Sequence, residues 1–98
     1  MEKYYTIEYN KKKYNDKIWN EYISEFIKNG EKVIEVLKQY KGKVPDEILI
    51  PIGCIIGNSS VVWLNSELED IPGYTPLELL KTDDGTKALK VIIMRLYC

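Results

Sequence analysis

WLNSELEDIPGYTPLELLKTDDGTKALKVIIMRL, residues 63–96, carries the punctuation that decides the fold. Thr75-Pro76-Leu77-Glu78 reads as a helix start: Thr75 caps, Pro76 takes the first helical position, and Glu78 closes a capping box. This short helix ends near Lys81. Thr82-Asp83-Asp84-Gly85 then starts another, whose Ala88, Leu89, Ile92 and Leu96 give one apolar stripe. Upstream, Pro72-Gly73 marks a loop over residues 67–74. Asn58 or Ser59 caps a helix that runs through Trp63 and Leu64 to about Ser66. Trp63 reads as a large anchor between short helices, with Leu77 and Leu80 beside it in a small core.

Outward from there the signals weaken. Over residues 45–57, Pro45 with Asp46 and Glu47 resembles a helix start. Pro51 forbids a clean long helix, so a broken or short one is expected, with Ile48-Leu49-Ile50 also compatible with a strand. Two helices are expected before that. The first is capped by Asn15 or Asp16, is apolar at Ile18, Tyr22, Ile23, Phe26 and Ile27, and stops at Gly30. The second runs from about Glu31 to Tyr40, with Val33, Ile34, Leu37 and Tyr40 inward. A short connection makes them an antiparallel pair. Residues 3–9 are rich in aromatic and β-branched types and read as one short strand or extended arm. A lone strand needs a partner, which a homodimer would supply. The expected fold is mainly α: a small bundle of four to five short helices with that N-terminal strand or arm. Residues 1–44 make the arm and helical pair, and 45–98 the C-terminal helical unit.

The chain of 98 residues suits one modest core. No stretch reaches the roughly 18 apolar residues of a membrane span; the longest candidate, Ile48 to Ile56, is short and is interrupted by Pro51. The start lacks an apolar signal region. A cytoplasmic protein with no membrane contact is therefore expected. Cys54 and Cys98 have no metal spacing and read as free thiols, Cys54 as a small core residue. Residues 1–45 carry ten Lys against seven acids, a net of +3, whereas residues 46–98 carry four basic and eight acidic residues, a net of −4. The split suggests two surfaces, and is too mild to imply nucleic-acid binding.

The sequence has no histidine, which removes the commonest general base and metal ligand. It has no catalytic triad pattern and no phosphate loop, and its acidic clusters lack calcium-loop spacing. A non-catalytic protein without metal or cofactor is expected.

The stretch 63–96 also resembles the C-terminal toxin-binding domain of the Xre/MbcA/ParS antitoxin family. Trp63 and Leu64 match its opening pair. Ile71, Gly73, Thr75, Pro76, Leu77 and Leu80 match its turn and short helix. Thr82, Gly85, Val91 and Arg95 match its last helix. The resemblance implies a domain that grips a protein partner, commonly a RES-domain toxin that consumes NAD or uses it for ADP-ribosylation, and covers its active site. It places the contact near the last helix, on Arg95 and Tyr97 with Lys87 and Lys90 behind them. Two departures bear on this. The 45 or so residues before the match do not fit a full helix-turn-helix domain, and the chain stops two residues after Leu96, leaving no long inserting tail. Both are compatible with an alternative: a phage- or prophage-encoded binding protein of the same fold that inhibits a host defence enzyme. Tyrosine, present eight times, suits a half-wet binding surface.

Overall fold

A computed structural model describes residues 3–96. Its elements in order are α1 (Lys3–Lys11), α2 (Asp16–Lys28), a 3-10 turn (Glu35–Tyr40), α3 (Asp46–Ile56), a second 3-10 turn (Gly57–Ser59), α4 (Ser60–Leu64), α5 (Pro76–Leu79) and α6 (Asp83–Leu96). Among the described residues the fold is a small, mainly α bundle without strands.

The N-terminal strand or arm is corrected to a helix. Strand propensity is a weak preference that packing overrides. As a helix, α1 lays Ile7 and Asn10 against the rest of the fold and pairs Lys11 with Glu8 one turn back, at 3.3 Å. Its principal neighbour is α6.

In α2, Asn15 caps as expected, its side chain accepting from the Ile18 N–H at 3.1 Å. The apolar face is rotated from the expected one. Trp19 and Ile23 are buried, while Ile18 and Ile27 are 54% and 62% exposed. The helix expected over 31–40 also differs: residues 31–34 are extended and only a 3-10 turn follows. The adjacent β-branched Val33 and Ile34 favour extension, which lets Ile34 pack onto Gly53. A methyl there would sit 3.0 Å from Ile34 Cγ1.

Pro51 does not break α3. The ring removes one helical hydrogen bond, yet the helix continues, and Pro51 is fully buried beside Ile48, Leu49 and Ile52. Gly57, at φ +71°, ends it with a backbone turn that side chains disfavour. Taken through the 3-10 turn, Asp46–Leu64 is one helical run of 19 residues, long and apolar enough by length and composition to cross a membrane. This overturns the expected absence of such a segment. In the fold, Ile48, Leu49, Ile52 and Leu64 of this run lie in the core.

That core draws on the whole chain. Trp19, Ile23, Val33 and Leu37 pack in one cluster with Ile48, Leu49, Ile52, Leu64, Ile71, Leu79, Leu89 and Ile93. The segments on either side of residue 44 share it.

Candidate interaction site

The C-terminal unit is built from local devices. Gly73, at φ +92°, turns the loop, and its N–H donates to the Glu67 carboxylate. The Leu68 N–H closes the same loop on the Tyr74 carbonyl at 2.9 Å. Thr75 then forms the expected capping box: its Oγ1 accepts from the Glu78 N–H at 3.1 Å, and Glu78 Oε1 accepts from the Thr75 N–H at 2.9 Å. Pro76 is buried at the first helical position. Thr82 Oγ1 caps α6 by accepting from the Gly85 N–H at 2.9 Å. Thr75→Ala removes one half of the box and is expected to cost about 1 kcal/mol, read as a melting temperature lower by roughly 4–8 °C.

These devices hold a groove lined by Trp63, Ser66, Leu68, Ile92 and Leu96, with Glu67, Glu69 and Asp70 along it. Trp63 is therefore half-buried and lines a surface, not the interior anchor expected for it. The anchoring indole is Trp19, 1% exposed. Leu77 and Leu80 are likewise half-buried at the margin of the core, and Leu79 between them is the buried leucine. Leu64 and Gly85 are buried as their place in a core motif requires.

The residues expected to grip a partner do not gather. Arg95 pairs with Asp70 at 3.2 Å beside the groove, each side chain being a little over two-fifths exposed. Lys87 is exposed. Lys90 is a correction: only 14% of its side chain is exposed, and it pairs with Glu47 Oε2 at 3.4 Å. It also lies over the rings of Trp19 and Tyr14, at 5.2 and 5.4 Å from their centroids. Arg95 lies five positions after Lys90, about 140° around a helix, so the two face different neighbours. Tyr97 lies outside the described residues.

The cluster around Lys90 was not foreseen. Trp19 Nε1–H donates to Glu47 Oε1 at 2.7 Å, while Lys90 holds the other oxygen of the same carboxylate. One carboxylate thus joins α2, α3 and α6. Burial raises the Tyr14 hydroxyl well above its ordinary pKa, with its hydrogen bond to Asp16 adding to the shift. The tyrosine stays neutral, and with the Trp19 ring it offers the Lys90 ammonium an aromatic wall.

Cys54 is a second correction. It is exposed, not core, and its thiol donates to Glu31 Oε1 at 3.1 Å. Desolvation and the Glu31 carboxylate push its pKa up to about 11. A thiol raised this far is almost wholly protonated at pH 8, and only the thiolate is nucleophilic. Iodoacetamide is therefore expected to label Cys54 slowly at pH 8 despite its exposure. The rate should climb until pH passes about 11, and Glu31→Gln should speed labelling at pH 8. Mass spectrometry of the Cys54 peptide, against an unstructured cysteine peptide, measures both.

Among the described residues, no group of three or more His, Cys, Asp or Glu is placed to hold a metal. Comparisons with protein-family models, with curated proteins and with solved structures return no match.

Proposed function

We propose that this chain is a non-catalytic protein-binding module of the antitoxin kind, which neutralises a RES-type, NAD-consuming or ADP-ribosylating enzyme by covering its active site. The observation that carries the reading is the groove between α4, the 67–74 loop and α6, lined by the half-buried Trp63, by Leu68, Ile92 and Leu96 and by the acidic Glu67, Glu69 and Asp70, with Arg95 paired to Asp70 at its edge. Trp63, Leu64, Gly73, Thr75, Pro76, Gly85 and Arg95, which are among the residues that carry the family resemblance, all belong to the unit that shapes this groove. Half-exposed aromatic and arginine side chains are the groups that most often dominate protein–protein binding.

The contact is steric and centred on Trp63, Arg95 and Tyr97, with Lys87 at its margin. Lys90 is assigned to holding the fold. Arg95→Ala changes stability little, because an exposed ion pair contributes about 0.5 kcal/mol. It is expected to weaken partner binding, as is Tyr97→Ala.

The test is affinity capture with the tagged protein from its native lysate, followed by an NAD-consumption assay on whatever is retained. A RES-domain enzyme held stoichiometrically and inhibited supports the reading. A retained host defence enzyme moves the function to a phage- or prophage-encoded inhibitor of the same fold. Normal binding and inhibition by both Arg95→Ala and Tyr97→Ala would remove the contact proposed here.

A further inference from the structure

We infer that the groove proposed above as the contact surface takes a short basic segment of its protein partner: an apolar side chain seated against Trp63, with Lys or Arg on either side of it. This rests on the groove being the place of contact, and not on which enzyme supplies the segment.

The lining includes a firm apolar part. Leu68 and Ile92 are 7% and 3% exposed, and the half-buried Trp63 and Leu96 stand with them. The apolar surface continues past the groove along α4. Ser66, which lines the groove, donates from its Oγ to the Val62 carbonyl at 2.6 Å, so Val62 lies one turn back on the same side. At 69%, Val62 is the most exposed large hydrophobic residue among those described. A half-buried indole next to an exposed valine is a seat for one apolar side chain, and aromatic residues placed in this way contribute most to binding.

The acidic side of the groove sets the charge of what enters it. Glu67, Glu69 and Asp70 all line it, and all three are exposed. Arg95 pairs with Asp70, whereas among the described residues no ion pair puts a cation on Glu67 or Glu69. Glu67 accepts from the Gly73 N–H, a neutral donor that leaves its charge in place. Three carboxylates against one guanidinium leave a formal charge of −2 at the groove. The unit around it, residues 46–98, has a net charge of −4. An acidic segment and an anionic membrane are both repelled, whereas Lys or Arg flanking an apolar anchor is drawn in. An apolar centre with a charged rim is also the usual division of a protein–protein interface.

The two indoles make a local test. In proton–nitrogen correlation spectra of the full chain, the Trp63 indole reports on the groove, and the Trp19 indole, held by Glu47 at 2.7 Å, is the internal reference. The probe is a synthetic peptide of about 14 residues, four helical turns, with leucine along one face and arginine beside it. A second peptide has glutamate in place of arginine. The arginine peptide is expected to shift the Trp63 indole and the amides of Ser66 to Asp70, and to leave the Trp19 indole in place. It should bind at least about tenfold more tightly than the glutamate peptide at low salt, and the gap should narrow as salt rises. Trp63→Ala should weaken it more than about tenfold. Glu69→Lys, at an exposed position that leaves the fold intact, should weaken it about two- to fivefold. Equal affinity for the two peptides overturns the inference, as do groove signals that stay fixed at about 1 mM arginine peptide or an unchanged affinity in Glu69→Lys. So does a shift of the same signals by phosphatidylserine vesicles, which assigns the groove to a membrane, or by protein concentration alone, which assigns it to a second copy. Lysate capture separates this from the enzyme's identity: selective arginine-peptide binding without a captured RES enzyme keeps the groove chemistry, and a captured, inhibited RES enzyme with a peptide-blind groove overturns it.

Discussion

Gly85→Ala is expected to destabilise the protein by about 3 kcal/mol, near the upper end of ordinary overpacking costs, and to lower its melting temperature by roughly 10–20 °C. The sign is the opposite of the usual one, since glycine inside a helix is normally worse than alanine by about 0.5–1 kcal/mol. Here a Cβ at Gly85 would lie 2.2 Å from the Leu79 carbonyl oxygen and 2.9 Å from its carbon. Both are backbone atoms, so neither can rotate away. Relief requires α6 to move off the end of α5, which would also strain the Thr82 cap at the Gly85 N–H. Thermal unfolding followed by circular dichroism measures the effect. An alanine variant as stable as the wild type would mean that α5 and α6 do not approach as described.

The second large effect is a contrast between the two tryptophans. Trp19→Ala should cost about 3–5 kcal/mol, the range for deleting a buried aromatic side chain. It also leaves Glu47 Oε1 without its indole donor and removes a ring from beneath Lys90. Trp63→Ala removes a half-buried ring from a groove wall and should cost roughly 1–2 kcal/mol, since less area returns to water. Urea denaturation of both variants gives the comparison. Equal losses would contradict the burial difference between the two indoles. Trp63→Ala folded but deficient in partner binding would fit the proposed contact surface.

What was legible in the sequence was local. The Thr75 capping box, the turn at Gly73 and the restart at Thr82 are each specified within a few residues, and each has the expected hydrogen bonds. The mainly α character followed from the same signals. What depended on distant partners was misread. Trp19 is buried because Glu47, 28 residues away, receives its N–H. Nothing in the spacing of α2 shows that the face through Ile23 turns toward Trp19 and away from Ile18 and Ile27. Residues 3–9 looked like a strand because composition alone cannot register that α6, some 80 residues later, offers a helical partner. Pro51 argued only for a broken or short helix, and nothing local shows that its ring is buried in the core of a helix that continues through it. The site followed the same division: the groove walls come from a readable motif, whereas Arg95 and Lys90 were separated by their ion pairs with Asp70 and Glu47.

The junction at Glu47 has an engineering consequence. The motif of residues 63–96 is compact enough in sequence to invite transplantation as a separate cassette. Its floor, however, is shared: Ile48, Leu49, Leu89 and Ile93 are covered in part by Trp19, Ile23 and Leu37 from the other side of the chain. A cassette cut at residue 45 would leave that apolar surface facing water, Glu47 Oε1 without its indole donor and Lys90 without the ring beneath it. The smallest portable version of this groove therefore includes α2 and the 3-10 turn that follows it, and a graft should melt in one transition only when those elements travel with it.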